Sequence, residues 1–151
     1  MGDRRFWELC KDGDIEGVQA AIDNGADVNE VDCDGWTGLM RALGSSQNNV
    51  VQLLLNQPQI DVNKVDQLGR SALHHAVLGA NHEEMAALLA RQDLTTINKR
   101  GDFGWSPIMY AVYCNALNCF NLLLAHPGVD LDTRDNHQRS PEEIRRWFLL
   151  L

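Results

Sequence analysis

The sequence predicts an all-α solenoid, a stack of helix-turn-helix units joined by short hairpin-like turns. Three observations carry that prediction. Gly35, Gly69 and Gly104 recur at spacings of 34 and 35 residues, and Thr37, Ser71, Ser106 and Ser140 each stand two positions behind a period mark. Ala42, Ala76 and Ala111 keep the same step, as do the pairs Leu54-Leu55, Leu88-Leu89 and Leu123-Leu124. Asn29, Asn63 and Asn98 close each period. A repeat of this length is one supersecondary unit that buries its apolar face only against its neighbours. The 151 residues therefore read as a single domain of about five units, counting partial caps: 1–31, 32–65, 66–100, 101–134 and a partial cap at 135–151.

The elements follow in order. Phe6, Leu9 and Cys10 lie at helical spacing and are followed by the Asp12-Gly13-Asp14 break, which makes a short first helix. Val18, Ala21 and Ile22 mark the apolar face of a second helix, ended by Asn24-Gly25. Asp32-Cys33-Asp34-Gly35 suits a type I turn with Gly last. Thr37 is placed to cap the next helix, with Leu39, Ala42 and Leu43 inward, and Val50, Val51, Leu54 and Leu55 form its partner. The loop Asn56-Gln57-Pro58-Gln59-Ile60 is one residue longer than the first unit's and stretches the period. In the third unit Ser71 caps, Leu73 and Ala76 pack inside, and Met85, Leu88 and Leu89 pack outside. Ser106-Pro107 starts the fourth, because Pro at the first helical position gives up no useful donor. Tyr110, Tyr113 and Cys114 lie along its first helix, and Phe120, Leu123 and Leu124 along its second. Ser140-Pro141-Glu142-Glu143 opens a last helix with acids where the macrodipole favours them. The chain stops at Trp147-Phe148-Leu149-Leu150-Leu151, an apolar tail that fits a piece of a longer array.

A formal net charge of −8 argues against a phosphate-tracking surface, which needs clustered Lys and Arg to release counterions. Cys10, Cys33, Cys114 and Cys119 form no CxxC pair, so neither a disulfide framework nor a zinc site is indicated. They read as reduced thiols in a cytoplasmic protein, with the nucleus as the alternative. No run of 18 apolar residues occurs, and nothing suggests membrane association.

These residues resemble the ankyrin repeat. Asn24-Gly25-Ala26-Asp27-Val28-Asn29 matches the family's closing phrase, and Gly69-Arg70-Ser71-Ala72-Leu73-His74-His75-Ala76 matches its opening, with Ala72 in place of Pro. Gly38 also replaces Pro, Met40 and Met109 replace His, Gln138 replaces Gly, and Arg145 stands where a small core residue is expected, so the last unit is degenerate. The resemblance implies a scaffold that binds another protein or peptide, monomeric and without cofactor. It also implies that His74 hydrogen-bonds the backbone of a neighbouring loop. Asn63, Asn29 and Asn98 occupy the position hydroxylated in many such proteins, and Asn63 is the best candidate, with Leu55 eight residues upstream. Without modification, such an Asn is expected to brace the turn through local hydrogen bonds.

Apparent catalytic signals weigh little beside this frame. Asp102-Phe103-Gly104 spells a kinase magnesium-binding tripeptide, but no strand-borne Lys or catalytic-loop set accompanies it. His82-Glu83-Glu84-Met85-Ala86 begins like a zinc-binding helix and lacks the second His at position 86. No enzyme, metal site or cofactor is expected.

The resemblance further implies that the turn tips and the open side of each first helix line a concave face. Those positions are Cys33, Asp34, Trp36, Arg41 and Ser45, then Gln67, Leu68, Arg70, His75 and Leu78, then Asp102, Phe103, Trp105, Tyr110 and Tyr113, with Asn136, His137 and Arg139 beyond. Trp, Tyr and Arg dominate interface hot spots, so Trp36, Arg41, Leu68, Arg70, His75, Phe103, Trp105, Tyr110, Tyr113 and Arg139 form the expected binding set. The alternative for each Trp is that it folds back over its neighbour's turn. Two other functions stay open: a small-ligand or oligonucleotide sensor that stacks bases on aromatic pairs, and a purely structural segment of a longer array.

Overall fold

A computed structural model describes residues 3–149, so Leu150 and Leu151 of the apolar tail lie outside the described residues. Nine α-helices are present among them: α1 Phe6–Asp12, α2 Ile15–Asp23, α3 Gly38–Gly44, α4 Asn48–Leu55, α5 Ala72–Leu78, α6 His82–Leu89, α7 Pro107–Tyr113, α8 Leu117–Ala125 and α9 Pro141–Leu149. A short 3-10 turn covers Asp102–Gly104.

The helix starts have identifiable chemical causes. Asp14 Oδ1 accepts the Gly17 N–H at 2.9 Å and opens α2, and Thr37 Oγ1 accepts the Met40 N–H at 3.2 Å and opens α3. Pro107 sits at the first position of α7. At α9 the capping is reciprocal: Ser140 Oγ accepts from the Glu143 N–H at 3.2 Å, and the Glu143 carboxylate accepts from the Ser140 N–H at 2.6 Å.

The helices stack in two rows. An inner row runs α1, α3, α5, α7, α9, each packed on the next, and an outer row runs α2, α4, α6, α8. Within a unit the two helices also pack on each other. Leu39, Leu43, Leu54, Leu73, Met85, Leu88, Ile108, Met109, Leu123 and Ile144 are fully buried along the seam and belong to one continuous apolar cluster. Burying one such side chain contributes roughly 1.5–3 kcal/mol.

Hairpin turns project from the inner row. The N–H groups of Asp32, Asp66, Gly101 and Asp135 bond the carbonyls of Trp36, Arg70, Trp105 and Arg139 at 3.0, 2.9, 2.8 and 3.0 Å. Successive hairpins touch through Gln67 N–H to the Asp34 carbonyl at 3.1 Å and Asn136 N–H to the Phe103 carbonyl at 3.0 Å. Two tight places depart from easy backbone geometry. A Cβ on Gly79 would collide with the Leu43 carbonyl oxygen, so only Gly lets α5 end this close to α3. Ala80 holds φ 51° in the reversal between α5 and α6, a left-handed conformation that Gly13 takes freely between α1 and α2.

Candidate functional site

A carboxylate fixes the base of three of the hairpins. Asp32 Oδ1 accepts the N–H groups of Asp34 and Trp36 at 2.9 and 3.0 Å, and Asp66 Oδ1 those of Leu68 and Arg70 at 2.9 Å each. Asp135 Oδ1 accepts those of His137 and Arg139 at 2.8 and 2.9 Å. The second oxygen of each takes a guanidinium Nε: Arg41 at 2.6 Å, Arg70 at 2.8 Å and Arg139 at 2.9 Å. Burial pushes these carboxyl pKa values up, yet the hydrogen bonds prevail. His75 and Arg70 hold Asp66 at about 2, and Arg139, Trp105 and His137 hold Asp135 at about 2. Asp32 is lowered in the same way by Trp36, Arg41 and Asp34. Asp32, Cys33 and Asp34 bring ligand-type atoms within 4.8 Å of one another, but both oxygens of Asp32 are already committed to its own turn and Arg41.

The fourth hairpin differs. Gly101 stands where the others carry Asp, and Trp105 Nε1–H instead donates to Asp135 Oδ2 of the next unit at 3.1 Å. The Tyr110 hydroxyl donates to Asp102. Burial and the Asp102 charge raise the Tyr110 pKa, so the phenol stays a donor.

Three residues of the expected binding set are not exposed. Trp105 is 8% exposed, Tyr110 5% and His75 0%. Each is covered because it satisfies a neighbour. Trp105 spans to the next turn's carboxylate, and Tyr110 packs edge-on against His74 at 4.9 Å. His75 Nε2–H donates to Asp66 Oδ2 at 3.1 Å beneath the Trp36 ring, at 4.3 Å. Trp105 thus takes the alternative of folding over its neighbour's turn.

The remaining members are half-buried or exposed. Trp36 is half-buried, with the Arg41 guanidinium 4.1 Å and the Arg70 guanidinium 5.3 Å from its ring centre, within cation–π range. Arg41, Arg70 and Arg139 are held by their carboxylates and leave 18%, 15% and 28% of the side chain open. Leu68, Phe103 and Tyr113 project freely, at 53%, 59% and 52% exposure. Phe103 does so from φ 60°, a costly conformation for a bulky residue. An aromatic row continues from it: Phe103 to Trp105 at 5.3 Å, Trp105 to Tyr113 at 4.9 Å, and Tyr113 to Phe148 at 5.0 Å.

Trp7, Trp147 and Phe148 each contact a member of the sequence-derived set and are absent from it. Arg41 lies 5.7 Å over the Trp7 ring, and Arg139 lies 5.5 Å over Trp147. The period held the signal for Trp7, because residues 7, 41, 75 and 110 share one repeat position.

Two polar devices join unit to unit. His74 Nδ1 accepts the Ser71 N–H at 3.0 Å while Nε2–H donates to the Trp105 carbonyl at 2.9 Å, and burial lowers its pKa to about 4, so the ring is neutral. Asn29 donates to the Gln59 carbonyl at 2.8 Å and accepts the Asp61 N–H at 2.8 Å. Asn63 does the same with Asp93 and Thr95 at 2.7 and 2.8 Å, and Asn98 with Gly128 and Asp130 at 2.8 and 2.7 Å. The expected brace is therefore an inter-unit staple rather than a local one.

Repeated helix pairs, hairpins and staples of this kind define a stacked repeat protein whose turns present one continuous surface. The description "Ankyrin repeats (3 copies)" matches residues 6–98 and 59–135, and the chain belongs to the ankyrin-repeat family. Ankyrin repeats are generally protein–protein interaction modules and typically non-enzymatic. An ankyrin repeat protein of Rickettsia bellii is 32% identical over 120 residues, 76% of this chain and 33% of the relative. Human transient receptor potential cation channel subfamily A member 1 is 31% identical over 124 residues, 80% of this chain and 11% of the channel. Human photoreceptor ankyrin repeat protein is 37% identical over 87 residues, 56% of this chain and 19% of the relative. The chain thus spans a third or less of these relatives. No described helix is long and apolar enough to cross a membrane.

Proposed function

We propose that the chain is a non-catalytic scaffold, cytoplasmic or nuclear, that captures an extended segment of another protein across its concave face. The observation that carries this reading is the exposed trio Leu68, Phe103 and Tyr113, together with half-buried Trp36 and the carboxylate-locked Arg41, Arg70 and Arg139. Large apolar side chains held outward on a rigid array, one of them from a strained backbone, cost solubility and local energy that a binding partner recovers. His75, Trp105 and Tyr110 act beneath this surface by positioning Trp36, Tyr113 and Asp102.

The test is a selection of displayed peptides on the immobilised protein, followed by calorimetry of the enriched peptides. Phe103→Ala and Tyr113→Ala each weaken binding by about 2 kcal/mol, the hot-spot scale, with thermal stability changed far less. Enriched peptides that bind both variants as tightly as the parent contradict the reading.

Asn63, with Asn29 and Asn98, is proposed as a hydroxylation site. Both ends of each side-chain amide are engaged by the next unit, so modification must tolerate or open the staple. Incubation with an asparaginyl hydroxylase followed by mass spectrometry adds one oxygen, first at Asn63; no mass change at any of the three removes the idea.

A further inference from the structure

The row of hairpin tips is interrupted between the third unit and the fourth. At the junction before the interruption, the Gln67 N–H and Nε2–H donate to the Asp34 and Cys33 carbonyls at 3.1 and 2.7 Å. At the junction after it, the Asn136 N–H donates to the Phe103 carbonyl at 3.0 Å and the Arg100 Nη2–H to Asn136 Oδ1 at 3.2 Å. The matching bond from the Asp102 N–H to the Leu68 carbonyl is not formed, and neither group makes another backbone hydrogen bond among the described residues. The spacing of the turns agrees. A Cβ on Gly35 would lie 3.1 Å from the Gln67 nitrogen, and one on Gly104 would lie 2.9 Å from the Asn136 nitrogen. A Cβ on Gly69 meets only the Arg100 carbonyl oxygen at 3.3 Å and the Gly101 Cα at 3.6 Å.

Gly101 causes the interruption. In the other three turns an Asp carboxylate accepts two N–H groups of the tip, and one residue, Gly35, Gly69 or Gln138, takes the left-handed conformation. Without that carboxylate the Trp105 N–H turns to the Asp102 carbonyl at 3.1 Å, and Phe103 joins Gly104 in the left-handed region. The break thus combines one free main-chain acceptor, one free main-chain donor and two exposed apolar side chains, Leu68 and Phe103. The charges beside it are already engaged: Arg70 by Asp66, Arg100 by Gly104 and Asn136, and Asp102 by the Tyr110 hydroxyl. A partner is therefore selected by main chain and apolar contact rather than by charge. An α-helix cannot use the free pair, because its own N–H and C=O groups bond one another. An extended strand can, since each of its residues offers one donor and one acceptor.

We propose that the break between Leu68 and Asp102 anchors an extended, uncharged, apolar segment of the partner protein through its main chain. A partner N–H donates to the Leu68 carbonyl, a partner C=O accepts from the Asp102 N–H, and the apolar side chain between them rests on Leu68 and Phe103. The anchor rests on the scaffold reading above and names the groups that grip the segment.

Displayed peptides enriched on the immobilised full chain are the probe, each remade with one backbone amide N-methylated at a time. Calorimetry shows one central position at which the methyl group weakens binding at least tenfold. Methylation of the next amide, which points the opposite way in a strand, changes binding less than twofold. Gly101→Asp supplies the missing carboxylate and closes the row, so it weakens the enriched peptides at least tenfold. In that variant, free of peptide, exchange of the Asp102 N–H slows at least tenfold as it pairs with Leu68. Where Gly101→Asp does not fold, the methylation series alone decides. Peptides that tolerate methylation at every amide and bind Gly101→Asp as tightly as the parent, yet weaken in Tyr113→Ala, overturn the anchor and leave the concave-face reading standing. Peptides sensitive to one methylation and to Gly101→Asp but indifferent to Tyr113→Ala keep the anchor and take Tyr113 out of the site. Three further results overturn the anchor: no peptide is enriched; the enriched peptides bind as helices by circular dichroism; or sedimentation equilibrium shows a dimer that Gly101→Asp dissolves, which assigns the break to a second copy.

Discussion

The third and fourth units are written in the same repeat, yet they solve the same bonding problem differently. In the third unit Asp66 serves its own turn, its own Arg70 and its own His75, and its carboxylate is closed to solvent. The fourth unit carries Gly101 at that position and relies on Asp135 of the following unit to receive Trp105. Beyond Asp135 the described residues hold one further helix, α9, which rests on α7 with Arg145, Trp147 and Leu149 exposed. The third unit thus satisfies its turn from within, while the fourth borrows a carboxylate from the unit that follows it. A linear array in which each unit touches only its neighbours translates that difference directly into local stability.

The largest effect expected separates the two turn carboxylates. Asp66→Ala strands the buried His75 ring and Arg70 and costs about 3–5 kcal/mol, because removing one member of a buried pair leaves the other uncompensated. Asp135→Ala leaves the Trp105 indole N–H without its acceptor and frees a guanidinium already 28% open, and it costs about 1–3 kcal/mol. Urea denaturation measures both; equal costs contradict the asymmetry.

Acid comes next. His74 has its pKa lowered by burial from 6.5 to about 4, and burial lowers His75 as well. The unfolded chain therefore binds more protons than the native one across that window. Stability is complete above about pH 6.5 and falls as the pH drops towards 4, with His74 alone accounting for about 3 kcal/mol. Asp66 and Asp135, lowered from 3.8 to about 2, extend the loss below pH 4 with the same sign. Melting temperatures between pH 7.5 and 4 follow this profile, and His74→Gln flattens its upper part. A melting temperature that is level across that range contradicts neutral, buried imidazoles.

The smallest effect compares two helix reversals. Ala80 at φ 51° pays for a left-handed backbone without any local hydrogen bond from its side chain, whereas Asn115, also at φ 51°, is a residue that tolerates it. Ala80→Gly raises stability by about 1 kcal/mol, and Asn115→Gly changes it by a few tenths. Equal gains at the two positions would show that the Asn side chain gives no relief.

Much of this was legible beforehand, for reasons that differ by residue. The period, the Thr37 cap, Pro107 and the Ser140-Pro141 helix start with its acidic first turn are local rules, satisfied within three or four residues of chain, and the helices start where those rules place them. The exposure of an aromatic ring is a longer-range matter. Trp36 and Trp105 occupy the same repeat position, but Trp36 stays half open and Trp105 is covered, because the indole of Trp105 finds a carboxylate 30 residues away. Gly101 was the sequence signal for that difference, since a turn without its own Asp leaves a neighbour to supply one. His75 was misplaced for a similar reason, its partner Asp66 lying nine residues back and under the Trp36 ring. The reach of Asn29, Asn63 and Asn98 into the next unit follows from stacking distance, which spacing along the chain does not reveal.

Native-state hydrogen exchange followed residue by residue tests the central contrast most directly. The account predicts that amides of α5 exchange only with global unfolding, and that amides of α9 exchange through a local opening of much lower free energy. Uniform protection across α5 and α9 would contradict an array whose third unit is held on both sides while α9 packs, among the described residues, on α7.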